Sequence, residues 1–139
     1  MEYQNTKIKG NLAELEALTY LARRGYQVSL PFGENSPYDL VIESPTRKLY
    51  RVQVRWSTWK KDLLNIRLRS VSKNYSRTLD LSRIEVFLIY DGEHVYIVPT
   101  KDLNHCKAGF TLRRFPPKNH QKIGISMSSS YLDAIQFIP

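Results

Sequence analysis

Three side chains in the first half of the chain are of the types that hold a divalent cation beside a phosphate. They are the carboxylate of Asp39, the amide of Gln53 and the guanidinium of Arg55. They lie in two apolar, β-branched runs, Ser36 to Glu43 and Leu49 to Arg55, joined by Ser44-Pro45-Thr46-Arg47-Lys48, which suits a hairpin. Asp39 stands at the start of the first strand. Gln53 and Arg55 are two apart on the second, so both side chains leave the same face of the sheet. An acid, an amide oxygen and a cation converging from paired strands can hold a metal beside a phosphate. A sheet with a few polar residues on its solvent face is the plainer alternative.

The chain has 139 residues, one cysteine, and 21 basic against 13 acidic residues, a net charge of +8. That length predicts one domain, residues 1–139. No apolar run reaches membrane-spanning length and the N-terminus is polar, so neither a membrane partner nor a signal peptide is expected. The lone Cys106 excludes an internal disulfide and suits a reducing, cytoplasmic setting. His94, His105, Cys106 and His120 lack finger-like spacing, which argues against structural zinc.

The positive charge is concentrated. Between Arg47 and Arg77 the basic residues Arg47, Lys48, Arg51, Arg55, Lys60, Lys61, Arg67, Arg69, Lys73 and Arg77 meet one acid, Asp62. Such a field attracts phosphate backbones. The aromatics Tyr50, Trp56, Trp59 and Tyr75 interleave with these cations and no basic amphipathic helix is visible, which favours nucleic acid over an anionic membrane. The candidate DNA contacts are Arg51, Lys60, Lys61, Arg67, Arg69, Lys73, Tyr75 and Arg77, joined by Arg113 and Arg114 at the tip of a later strand.

The elements that must position these residues follow from periodicity. Ile8, Leu12, Leu15, Leu18, Leu21 and Ala22 recur at helical steps from Thr6 to Arg24, with Gly25 as a left-handed stop. Glu14 lies beside that stripe. Gln27 to Leu30 reads as a short strand, and Pro31 to Pro37 as a loop. Leu64, Ile66 and Leu68 alternate with Asn65, Arg67 and Arg69, the pattern of a strand with an apolar and a basic face. Ser70 to Ser82 shows no regular period. Ile84 to Tyr90 reads as a strand buried on both faces. Asp91-Gly92 turns it into a partner, His94 to Val98, ended by Pro99. Thr100 is placed to cap a short helix through His105. Gly109 to Arg114 reads as another strand, and Tyr131 to Phe137 as a short helix. The sum is a mixed α/β core.

Lys9-Gly10 with Glu14, the phrase Pro31-Phe32-Gly33-Glu34-Asn35-Ser36-Pro37-Tyr38-Asp39-Leu40, and Tyr50-Arg51-Val52-Gln53-Val54-Arg55 resemble the PD-(D/E)xK nucleases. Within that superfamily they look most like the homing endonucleases of bacterial, especially cyanobacterial, group I introns. The resemblance runs over roughly residues 8 to 103. It implies a restriction endonuclease-like fold, a mixed β-sheet flanked by α-helices. It also implies that Asp39 is the metal-ligating aspartate and that Gln53 stands where the wider superfamily has an acid. Glu14 matches the helix acid that contacts a metal-bound water, and Arg55 occupies the position of the motif lysine.

On that reading Asp39, Gln53, Arg55 and Glu14 are the catalytic candidates. Asp39, Gln53, Glu14 and the Val54 carbonyl are the candidate ligands of Mg²⁺, with Mn²⁺ as a substitute. The expected function is site-specific cleavage of double-stranded DNA, with turnover impaired by Arg55, which is longer and planar and stays protonated. Two alternatives stand beside it: an inactive DNA-binding protein on the same fold, and a structure-specific relative of the Holliday junction resolvases. RNA binding is the weakest option, since no ribonucleoprotein-type aromatic motif is present. One site cuts one strand, so a double-strand break implies a homodimer or homotetramer. Ile84 to Tyr90 and Tyr131 to Phe137 are candidate interface segments.

Overall fold

Asn5 opens the helix α1 (Thr6–Arg23): its backbone is extended and its side-chain oxygen accepts a 2.8 Å hydrogen bond from the Lys7 N–H. That satisfies one of the donors a helix start leaves free. At the other end the Gly25 N–H donates to Ala22 and the Tyr26 N–H to Leu21, both at 3.1 Å. Gly25 sits at φ +85°, the left-handed position that closes such a turn. The structure is a computed structural model and describes residues 5–33, 35–71, 76–103, 106 and 108–139.

The buried face of α1 differs from the stripe expected from the sequence. Ala13, Ala17 and Leu21 are buried and Leu18 is half-buried, whereas Ile8 and Leu15 are 49% and 59% exposed and Ala22 is exposed. The small residues Ala13 and Ala17, at i and i+4, let the helix axis lie close to the sheet, and that closeness decides the face over side-chain size.

After α1 come β1 (Gln27–Ser29), β2 (Leu40–Glu43), β3 (Leu49–Trp56), β4 (Trp59–Lys60), β5 (Leu63–Arg67), β6 (Arg69–Val71), β7 (Ser76–Thr78), β8 (Val86–Tyr90), β9 (Val95–Pro99), β10 (Gly109–Arg113) and β11 (Ser126–Met127). Five of these strands form one sheet in the order β1-β2-β3-β8-β9, in which β3 and β8 are parallel and every other pair is antiparallel. A second sheet runs β11-β10-β5-β4, and β6 pairs with β7. A parallel pair needs a crossover. Between β3 and β8 the described residues form β4 to β7 and a 3₁₀ turn, Leu81–Arg83, with no α-helix among them, so the most basic part of the chain returns beside the end of β3.

The layers are α1, the five-stranded sheet and the second sheet. Val86 and Leu88 of β8 join the cluster beneath α1, with Val52, Val54 and Leu21; Phe87 and Ile89 join the other, with Leu64, Ile66, Leu68 and Leu112. This is the strand buried on both faces that the run Ile84 to Tyr90 predicts, and its residues are core rather than a free surface for a second subunit.

Four readings need correction. Ser70 to Ser82 is not wholly irregular: it contains part of the β6–β7 hairpin and a 3₁₀ turn, Leu81–Arg83, capped by Asp80. Thr100 does not cap an α-helix. It begins the 3₁₀ turn Thr100–Leu103, is buried, and its hydroxyl has no hydrogen-bond partner among the described residues; His105 lies outside those residues. Tyr131 to Phe137 is not an α-helix. Tyr131 accepts from the Ile97 N–H (2.9 Å) and Asp133 donates to Val95 (2.8 Å), so the segment covers the outer edge of β9. Pairing an exposed strand edge outweighs a single helical turn. The flanking α-helices expected in the plural reduce to α1 among the described residues, the other helical turns being 3₁₀.

Asp91, in the β8–β9 turn, ties the two sheets together. Its Oδ2 accepts from Trp59 Nε1 (2.9 Å) and the Tyr96 hydroxyl (3.0 Å), and its Oδ1 from the Glu93 (2.8 Å) and His94 (2.6 Å) N–H groups. Burial pushes this carboxyl up, but the donors outweigh burial and hold it below the usual aspartate value. Asp91→Ala is expected to cost about 2–4 kcal/mol at neutral pH, because buried donors lose their acceptor. A depressed folded-state pKa contributes stability that is complete above the unfolded value and is lost as pH falls through the folded one. The gap between wild type and variant in urea unfolding should therefore narrow below the ordinary aspartate range, and a pH-independent gap would contradict this account.

Candidate active site and nucleic-acid groove

The Asp39 N–H donates to the carbonyl of Val52 (3.0 Å), the residue already paired with Leu40, so Asp39 is held against β3 at the start of β2. Just upstream the Ser36 hydroxyl donates to the Tyr38 carbonyl at 2.8 Å, closing the bend that delivers Asp39 to the strand. Asp39 Oδ2 in turn accepts from the Val54 N–H at 2.9 Å. On β3, Val52 and Val54 go under α1. Alternation sends Gln53 and Arg55 to the opposite face. Gln53 is 6% exposed.

The charges are coupled. Burial raises the Asp39 carboxyl above its ordinary value, while the Val54 N–H and the Arg55 charge pull it back. Glu14, half-buried on α1, is raised by burial and then by the negative charge of Asp39. Burial lowers the Arg55 guanidinium, and Asp39 counters that. Arg55 Nη1 also donates to the Val54 carbonyl at 3.3 Å. Two carboxylates, a buried amide, a backbone carbonyl and a guanidinium thus share the end of β3. Among the described residues no set of three or more His, Cys, Asp or Glu side chains gathers, so any cation here would depend on neutral oxygens as well.

Beside these groups opens a groove of about 890 Å³. One wall is the start of α1 (Thr6, Lys9, Gly10), the floor is the end of β3 from Val54 onward, and the far wall is Lys60, Asn65, Ile66, Arg67 and Arg69. Its lining holds the cations Lys9, Arg55, Lys60, Arg67 and Arg69 and no acid among the described residues. A cleft lined by one sign of charge focuses its field and concentrates counter-ions.

The other basic candidates lie elsewhere. Arg51 is clamped by Glu85, with Nη2 2.7 Å from Oε1 and Nε 2.9 Å from Oε2, and is absent from the groove lining. Lys61 is exposed in the β4–β5 turn at φ +50°. Arg114 pairs with Asp62 at 3.2 Å and lies over the Trp59 ring at 4.3 Å. Arg113 donates to the Phe115 carbonyl at 3.3 Å. The backbone of Arg77 pairs with Ser70 in β7; Lys73 and Tyr75 lie outside the described residues. The α1 wall is what reading by charge density missed, because its single lysine carries no density signal.

Residues 4–134 match the family model of the PD-(D/E)XK endonucleases. Among solved structures, the chain is similar to the bacterial homing endonuclease I-Ssp6803I, with a TM-score of 0.76 and 22% identity over 96% of this chain and 93% of that one. It is also similar to Hjc, a Holliday junction resolvase from the archaeal hyperthermophile Archaeoglobus fulgidus, with a TM-score of 0.53 and 15% identity over 76% of this chain and 84% of that one. No curated protein sequence matches it. At such identities the two structures speak to the fold; the family model, matching nearly the whole chain, shows that this protein belongs to the PD-(D/E)XK endonuclease family.

Proposed function

We propose that the chain is a site-specific endonuclease of the intron-homing type, acting on double-stranded DNA with a divalent cation, Mg²⁺ or in its place Mn²⁺. The observation that carries this reading is the placement of Asp39, Glu14, Gln53 and Arg55 beside a groove whose charged lining is entirely cationic. The donor set fits a hard cation. Asp39 and Glu14 are both raised by burial, Glu14 further by Asp39, and the Gln53 amide is buried. Asp39, Glu14, Gln53 and the Val54 carbonyl would hold the ion. When bound, such an ion supplies Lewis-acid charge to the phosphate and lowers the pKa of water.

The chain's own residues do the rest. The groove cations bind and orient the phosphate backbone, sequence-independently and with strong salt dependence. The Val54 N–H fixes the Asp39 carboxylate. Arg55 brings a positive charge to the end of β3, but as a rigid planar fork partly engaged with its own strand. That engagement favours impaired turnover, and in the limit a chain that binds DNA without cutting it. Cleavage of both strands calls for a homodimer or homotetramer; a monomeric mass at micromolar concentration with DNA bound would contradict that part.

Arg55→Lys should raise cleavage of a randomised duplex library about 10²-fold in Mg²⁺ and not at all in EDTA, the typical scale of one electrostatic contact in the transition state. Equal cleavage by both proteins would show that arginine suffices. Specific DNA retained but cut by neither would favour the binding protein, and preference for a four-way junction over the linear duplex would favour a resolvase.

Asp39→Asn tests the site without turnover. Because burial raises the folded-state pKa, ionised Asp39 is a cost to the fold at neutral pH, and that cost vanishes as pH falls below the unfolded value. The variant should therefore melt higher than wild type at pH 7 without divalent ions, with the difference closing on acidification. Mg²⁺ should stabilise the wild type alone. A variant that melts lower at pH 7 would contradict this assignment, and its cleavage should fall at least about 10²-fold in any background that cuts.

A further inference from the structure

Gly10 is a residue of α1 that the fold itself does not require. Glycine is the poorest choice for a helix interior after proline, so a reason is usually found in packing or backbone conformation. Neither applies here. A Cβ built on Gly10 would meet no heavy atom within 4 Å, and its φ is not positive. Gly109 shows the contrast: a Cβ there would come within 2.5 Å of the Ile66 carbonyl oxygen, so β10 needs its glycine to approach β5.

The space above Gly10 is the groove. Gly10 lines it together with Thr6 and Lys9, facing Lys60, Arg67 and Arg69 across the end of β3. Lys9 Nζ lies 5.9 Å from the centre of the Trp56 ring, on the floor. Glu14 follows Gly10 by four residues and shares its face of the helix, so a strand laid over Gly10 runs on toward the Glu14–Asp39 pair.

We propose that the Lys9–Gly10 step is a docking surface for one sugar-phosphate strand of duplex DNA. Gly10 removes the side chain that would hold the strand off the helix, and Lys9 neutralises a phosphate on it. The groove thus grips the duplex from two walls, the helix and the basic sheet, with the candidate active site between them. This rests on the DNA reading above and adds the helix wall, which charge density did not indicate.

The test separates fold from binding. Gly10→Ala should raise the melting temperature by about 3 °C through helix propensity and yet weaken binding of a fluorescein-labelled, mixed-sequence duplex about 10-fold. Lys9→Ala should weaken binding and reduce the slope of log K against log salt by about 0.9, the share of one phosphate contact. Arg23→Ala removes one charge from the far end of the same helix, outside the groove, and should leave that slope unchanged. Gly10→Ala that melts higher and binds as wild type, or that melts lower, overturns the proposal. So does Lys9→Ala with an unaltered slope. A wild type that binds no duplex overturns the DNA reading itself, and with it this surface.

Discussion

Everything in this molecule hangs on the two sides of β3. One side carries Val52 and Val54 into the cluster beneath α1, and the other carries Gln53 and Arg55. A slip of one residue in its pairing would exchange the two sets and bury the arginine under the helix. The register is held from both neighbours: β2 sets Leu40 against Val52, and parallel β8 sets Val54 against Leu88. The bond from the Val54 N–H to Asp39 Oδ2 then ties the acid to the same strand. Packing of two valines and the position of a charged site are therefore one constraint.

The crossover turns that constraint into a cationic surface. In a doubly wound sheet the return between parallel strands is a helix; here it is a set of strands whose apolar residues, Leu64, Ile66 and Leu68, build the second core. Alternation then obliges the residues between and after them to face outward, and those residues are Asn65, Arg67 and Arg69. The cations are displayed because their neighbours are buried. Asp91 and the Trp59 indole brace the same sheet from its other end, so the basic wall rests on a supported scaffold rather than on a loop.

Much of this could be read from the chain because strands have a period of two. The β2–β3 hairpin, the buried run of β8, its Asp91-Gly92 turn and the alternation of β5 are all local patterns. What escaped depended on distant partners. Ile8 and Leu15 carry more apolar surface than Ala13 and Ala17, yet the alanines are buried because the helix packs closely on β3. The polar pair β6–β7 has no apolar alternation to announce it. The segment after Ser130 lies along β9 because that edge needs a partner, which no local propensity records. At the site, the hairpin that brings Asp39 to β3 is local, whereas the approach of Glu14 to Asp39 is tertiary, and the chain offered for it only a place beside the helix stripe and a family resemblance. The fate of Arg51, paired with Glu85 instead of lining the groove, could not be read from charge counting.

Arg55 brings these threads to one point. A guanidinium and an ammonium carry the same charge, but an ammonium is a compact donor on a flexible stem, free to follow a phosphate as its geometry changes. The guanidinium here is half-buried, feels Asp39 and reaches back to the Val54 carbonyl. Those contacts favour one orientation, set by the resting protein. Stabilising a transition state requires donors aimed at charge that has yet to develop. A cation already committed to neighbouring oxygens supports the ground state of the site at least as well as its transition state. If the chain cuts DNA as proposed above, arginine at this position keeps the positive charge of the groove but weakens the differential binding that speeds cleavage, through the side chain's shape rather than its charge.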